Sequence, residues 1–162
     1  MSVELDRHER GFTLMETLIA AGILVTVLAS LAQLVAWSVT QARDAGRRSR
    51  ALTAAQDQLE KLRGLPWTLD LNGEAVSHPA LAISPADSLD ESVAGYTDSV
   101  DEAGQVVDGP PAIIVRRWAV MSIESGTPDA ISIVVCAFRA PALGVPREGA
   151  DGCVSTARVR QP

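Results

Sequence analysis

From Phe12 to Val39 the chain runs for 28 residues with a single charged side chain, Glu16. Folded as an α-helix, that run would extend about 42 Å, against roughly 30 Å for the hydrocarbon of a bilayer. A helix that is apolar on every side has to lie in lipid or among other chains. Glu16 is the anomaly. A carboxylate at the centre of a bilayer costs roughly 2.5–3.5 kcal/mol on insertion scales, yet this one stands near the head of the run, five residues after Gly11. A removable secretory signal is the competing explanation, with Ser30-Leu31-Ala32 as a small-x-small cleavage site. Cutting there would divide apolar sequence that continues to Val39, and a secretory signal needs no glutamate at its head.

The stretch GFTLMETLIAAGIL, residues 11–24, resembles the N-terminal processing and methylation motif of type IV prepilins and type II secretion pseudopilins. In that family a short polar leader ends in glycine, phenylalanine or methionine follows, and a glutamate stands four positions further on at the head of a long apolar helix. The resemblance implies a leader over Met1–Gly11 and a cut between Gly11 and Phe12. It further implies that a membrane-bound prepilin peptidase makes that cut on the cytoplasmic side and methylates the new amine of Phe12. Glu16 then becomes the assembly residue. The chemistry suits these positions. Glycine has no Cβ, so a protease pocket can close on its backbone. Cleavage leaves a positive amine with Glu16 at i,i+4 spacing. Between chains, Glu16 of an incoming subunit can meet the amine of a neighbour, and a charge pair in apolar surroundings sets register.

The resemblance also implies partners: other pilin or pseudopilin subunits and an inner-membrane assembly platform. It places the protein in the inner membrane, with a cytoplasmic N-terminus and a periplasmic or otherwise extracytoplasmic head, before it enters a pilus or pseudopilus. The arginines point the other way. Arg7 and Arg10 precede the run, while Arg43, Arg47, Arg48 and Arg50 follow it, and the positive-inside rule would put the latter in the cytoplasm. The motif is followed here, because the cysteine usage below suits an oxidising compartment.

Beyond the apolar run, residues 40–65 continue as an amphipathic helix. There is no proline from Thr40 to Arg63, and Leu52, Ala55, Leu59 and Leu62 recur at three- and four-residue spacing. Gly64 and Pro66 supply stop signals. The helix end QDQLEKLRGLPW resembles that of the PilV-like branch of minor pilins. Residues 66–94, with Pro66, Pro79 and Pro85, are expected to form an irregular connection between helix and sheet. Residues 95–162 are expected to form an antiparallel β head. A hairpin over Tyr96–Val107 is followed by the strand-like AIIVRRWAVMSIES and DAISIVVCAFRA, which flank a turn at Gly126-Thr127-Pro128-Asp129, and CVSTARVR makes the last strand. The expected fold is α+β and pilin-like: a long N-terminal helix, transmembrane over 12–39, packed on a small antiparallel sheet.

Charge and side-chain chemistry narrow the function. The net charge is −6, and residues 66–162 carry thirteen acids against six arginines, a poor electrostatic footprint for nucleic acid. The arginines at 43–50 are read as a solvated helix face. The acids from Asp87 to Asp108 fit no EF-hand spacing and read as solvated surface. Cys136 and Cys153, 17 positions apart around a Gly/Pro-rich loop, favour a disulfide in an exported domain, with two buried thiols as the alternative. They offer too few ligands for a metal. His8 and His78 have no nucleophile arranged beside them, so no catalysis, metal or cofactor is expected. Major pilins often carry a proline inside the apolar helix, and this run has none. A minor type IV pilin is therefore the expected function. A type II secretion pseudopilin and a filament-tip binding module whose acidic head is the working surface are the alternatives.

Overall fold

The computed structural model describes residues 13–123 and 130–160. The leader, Gly11, Phe12 and the expected turn at 126–129 lie outside the described residues. The chain divides into two compact units that meet between Asp44 and Ala45. A single α-helix, α1 (Leu14–Arg63), belongs to both. In the first unit every described side chain is exposed, as expected of a segment built for lipid or for neighbouring chains.

In the second unit the rest of α1 packs on a four-stranded antiparallel sheet made of β3 (Thr97–Val100), β4 (Ile114–Ser122), β5 (Ala130–Arg139) and β6 (Gly152–Val159), in that order across the sheet. Ala51, Ala55, Leu59 and Leu62 of α1 meet Trp118 and Val120 of β4 and Ile131, Ile133, Val135 and Ala137 of β5, with Leu81 beside them. The expected stripe shifts by one residue at its start. Ala51 is buried, whereas Leu52 is half-exposed and covers Gly152 of β6. A Cβ on Gly152 would stand 2.7 Å from Leu52 Cδ2, so β6 starts with glycine where the helix leucine leaves no room.

The sheet is also covered on its other face. Ala119 of β4 and Val134, Cys136 and Phe138 of β5 pack under Leu89 and Ala142. Burial on both faces explains why β5 reads AISIVVCAF, without the polar alternation of a half-solvated strand. Residues 66–94 are correspondingly more ordered than expected. They form the antiparallel pair β1 (Trp67–Leu69) and β2 (Ala75–Ser77), then a 3₁₀ turn at Pro79–Leu81, then the segment carrying Leu89. At the hairpin tip the Asp70 carboxylate accepts the N–H groups of Asn72 and Glu74, each at 2.8 Å, and Gly73 takes a positive φ of 79°. The prolines of this region flank the two strands and do not interrupt them. The hairpin expected over Tyr96–Val107 keeps only its first strand. Its second arm is reduced to a single bridge, Val100 to Val106, and β3 pairs with β4.

Two adjacent arginines hold these layers. Successive strand residues face opposite ways, so Arg116 and Arg117 of β4 are buried on different sides of the sheet. Arg116 makes a bidentate pair with Asp98, its cross-strand neighbour on β3, at 2.7 and 2.5 Å, and reaches Ala54 O at 3.4 Å. Arg117 donates to the carbonyls of Asp90 at 2.9 Å, Val145 at 2.6 Å, Leu89 at 3.4 Å and Ala142, and lies over the Phe138 ring at 4.5 Å. Burial lowers the Arg117 pKa, while the charges of Asp90 and Glu91 act to raise it. Two further arginines finish the unit. Arg158 of β6 donates to Leu62 O in the last turn of α1, which also accepts the Leu65 N–H, and to Leu65 O just beyond the helix. Arg160 donates to Thr68 O and Val76 O across the β1–β2 pair and stacks on Trp67.

Cys136 and Cys153 are directly opposed on β5 and β6 and form a disulfide. Closing a 17-residue separation stabilises a fold by about 3 kcal/mol on the loop-entropy model. Purified protein should therefore expose no alkylatable thiol until it is reduced, and reduction should lower its unfolding midpoint. Full labelling of both cysteines in unreduced, denatured protein would contradict the pairing. Arg117→Leu keeps an apolar stem but orphans carbonyls that cost about 1–3 kcal/mol each when buried without donors. The expected loss is on the order of 4 kcal/mol. Hydrogen exchange should rise first in residues 85–92 and 141–150, and unchanged protection there would count against the carbonyl cage.

Candidate functional site

The residues the motif singles out sit at the start of α1. Thr13 is the N-cap: its Oγ1 accepts the Glu16 N–H at 3.3 Å, and its carbonyl accepts the N–H groups of Glu16 and Thr17 at 3.1 and 3.2 Å. Glu16 is thus the third helical residue. Thr-Leu-Met-Glu has the spacing of a capping box, in which a hydroxyl and a carboxylate frame the first turn. A negative side chain there also faces the positive end of the helix dipole. Glu16 therefore has a local reason to be where it is, apart from any partner chain. The T-x-x-E spacing of Thr13 and Glu16 adds this local role to the charge pairing that the motif implies. Both roles are compatible, because the cap fixes the backbone while the carboxylate still faces outward.

The rest of the first unit makes Glu16 stand out further. Thr17 Oγ1 donates to Leu14 O at 2.8 Å, and Thr26 Oγ1 to Ile23 O at 2.8 Å. Ser30 Oγ donates to Thr26 O at 2.9 Å, and Thr40 Oγ1 to Trp37 O at 2.7 Å. Hydroxyls bonded back into their own helix add little polar demand, which is how a membrane segment tolerates them. Between Leu14 and Gln41 the only side chain with a formal charge is then an exposed carboxylate on an exposed apolar helix. Leu14 is 81% exposed and Leu18 62%. Surface of that kind requires cover from lipid or from neighbouring helices.

The other candidates resolve into structural duties. His78 Nδ1 accepts the Ala80 N–H at 3.1 Å and caps the 3₁₀ turn. Of the acids between 87 and 108, Asp98 pairs with Arg116, Asp90 Oδ1 accepts the Arg147 N–H, and Asp101 accepts N–H groups of its own turn from Ala103 and Gln105. Among the described residues no three His, Cys, Asp or Glu side chains are grouped to hold a metal. Cys136 and Cys153 come together in the disulfide, far in sequence from Glu16.

The capping role and the charge role separate cleanly by mutation. Glutamine also serves at the third position of a capping box, so Glu16→Gln loses only the charge–dipole contribution and should lower amide protection of residues 14–17 less than loss of the cap does in detergent micelles. Thr13→Val keeps the charge but removes the acceptor, at a cost of about 1 kcal/mol. It should speed exchange in that turn about fivefold. Equal protection in Thr13→Val and wild type would remove the cap from the account.

Comparison with known proteins points to the same segment. Residues 6–32 match the family described as the prokaryotic N-terminal methylation motif. No match was found among curated proteins or among solved structures. The matched residues contain the Gly11–Phe12 bond, Thr13, Glu16 and the apolar run as far as Ala32. Residues 6–32 thus resemble the N-terminus of type IV pilins and pseudopilins, and they head a long helix whose second half packs against an antiparallel sheet.

Proposed function

We propose that the chain is a minor type IV pilin, a structural subunit without catalytic activity that prepilin peptidase cleaves between Gly11 and Phe12. It then joins other subunits through its apolar helix. The observation that carries this reading is Glu16, the lone carboxylate of the apolar run, inside the matched methylation motif and on the first turn of a helix whose first half is apolar all round. Cleavage would create a positive amine on Phe12, immediately before the N-cap. A positive charge is unfavourable at the positive end of a helix dipole, so the amine needs a carboxylate. Its own Glu16 is four residues away, and Glu16 of a neighbouring chain is the alternative partner. An exchange of partners between chains would make each new subunit dock at one depth. The run lacks the proline often found in major pilins, which supports a minor subunit in the pilus.

In this reading the protein is anchored in the inner membrane with its N-terminus cytoplasmic and its head on the far side, where the Cys136–Cys153 disulfide is stable. Mass spectrometry of protein from cells containing the peptidase should find N-methylated Phe12 at the N-terminus, and an intact leader would overturn the proposal. Glu16→Ala should be cleaved and retained in the membrane but fail to co-purify with sheared filaments. The missing pair leaves a neighbour's amine unpartnered, a loss on the order of 3–5 kcal/mol. Wild-type recovery with filaments would reduce Glu16 to its capping role.

A further inference from the structure

The arginines after the apolar run are not only a solvated helix face. Arg47 and Arg50 of α1 share a cleft of about 390 Å³ with Arg139, which β5 delivers from 89 residues beyond Arg50. Two carboxylates, Glu102 and Asp151, line the same cleft, and Ala51 and Ile113 give it apolar wall. Three arginines lining one concavity suit a phosphate, which arginine grips through paired N–H donors. The two carboxylates are unfavourable for a plain anion or for nucleic acid, but they suit a ligand carrying an ammonium beside its phosphate. Arg47 follows Val39, the last residue of the apolar run, by eight positions. Covalent connection alone therefore keeps the cleft within about 29 Å of the membrane-embedded sequence. Basic clusters close to a membrane segment are the sequence signature of headgroup binding.

We propose that this cleft binds the headgroup of an aminophospholipid, with Arg47, Arg50 and Arg139 on the phosphate and Glu102 and Asp151 on the ammonium. The apolar wall receives the carbons between the two charges. The ligand chemistry is phosphoethanolamine, and the bilayer is its source. The site uses residues of the second unit alone and requires neither cleavage nor filament entry, so it stands or falls apart from the pilin reading.

The test is native mass spectrometry of the full-length protein, delipidated in mild detergent and titrated with short-chain phosphatidylethanolamine, phosphatidylglycerol or phosphatidylcholine. Phosphatidylethanolamine should bind one-to-one and saturably. Phosphatidylglycerol lacks the ammonium, and phosphatidylcholine lacks its N–H donors, so both should bind about tenfold more weakly. Arg50→Gln with Arg139→Gln should weaken phosphatidylethanolamine binding about tenfold or more. Glu102→Gln with Asp151→Asn should weaken it while leaving phosphatidylglycerol binding unchanged or improved. That second pair keeps the test open if the arginine variant fails to fold, which loss of the disulfide or of the unfolding transition would reveal. Equal binding of all three lipids, or equal binding by wild type and the carboxylate variant, refutes the site. Competition by inorganic phosphate as effective as by phosphoethanolamine would make it a free-anion cleft and refute the lipid assignment.

Discussion

The guanidinium of Arg117 lies between the sheet and the segments that close its second face. A guanidinium does not shed its charge inside a protein, so burying one obliges its surroundings to bring acceptors. Here the acceptors are backbone carbonyls from two loops, Leu89 and Asp90 on one side and Ala142 and Val145 on the other. Phe138 supplies a π-face below. The loops thereby gain fixed positions over Ala119, Val134, Cys136 and Phe138, which would otherwise be an apolar sheet face open to water. Arg116 does the corresponding task on the helix side through Asp98. A hydrophobic pair of the same volume would bury as well, but it would not select which carbonyls sit above it. Selection of one arrangement is the use for which buried polar groups are best attested.

The first unit answers to a different constraint. Its surface gains nothing from folding alone, because every residue from Thr13 to Asp44 is exposed and the apolar ones lie all round the helix. Helices of this kind satisfy their backbone internally and leave side-chain cover to the surroundings. The hydroxyls of Thr17, Thr26, Ser30 and Thr40 follow the backbone by bonding inward. Glu16 is the exception that the first turn accommodates: Thr13 caps the backbone, and the helix dipole favours a negative group there. A carboxylate placed elsewhere in the run would have neither support.

Legibility followed how local each determinant is. The apolar run, the N-terminal motif and the stop at Gly64 and Pro66 are contiguous in sequence, and α1 ends at Arg63 as its periodicity implies. Strands β4, β5 and β6 were legible from their β-branched content. The hairpin at 67–77 carried a readable signal in Asn72-Gly73, but the surrounding prolines drew the region towards an irregular reading. The second covered face was not legible. It depends on carbonyls of residues 89–90 and 142–145 converging on one side chain, and carbonyls leave no mark in a sequence. Two arginines in succession inside a strand were the available hint, since one of them must face each side. The T-x-x-E spacing of Thr13 and Glu16 is legible as well, because a cap is a local determinant. The cleft was legible only in part: Arg47 and Arg50 are three positions apart in sequence, but Arg139 joins them through the β4–β5 register that sets Ile114 opposite Arg139.

That cleft bears on the one sequence feature at odds with the proposed orientation. A head on the extracytoplasmic side places Arg43, Arg47, Arg48 and Arg50 where topology selection disfavours positive charge. Solvation of a helix face would be served as well by glutamine, glutamate or serine, none of which opposes export. Arginines kept on that side therefore call for a use that needs their charge. Arg139 meeting Arg47 and Arg50 in one concavity, with Glu102 and Asp151 holding down its net charge, is such a use. In the proposed orientation the disulfide suits an oxidising compartment, and Arg47 and Arg50 gain a use that needs their charge on that side.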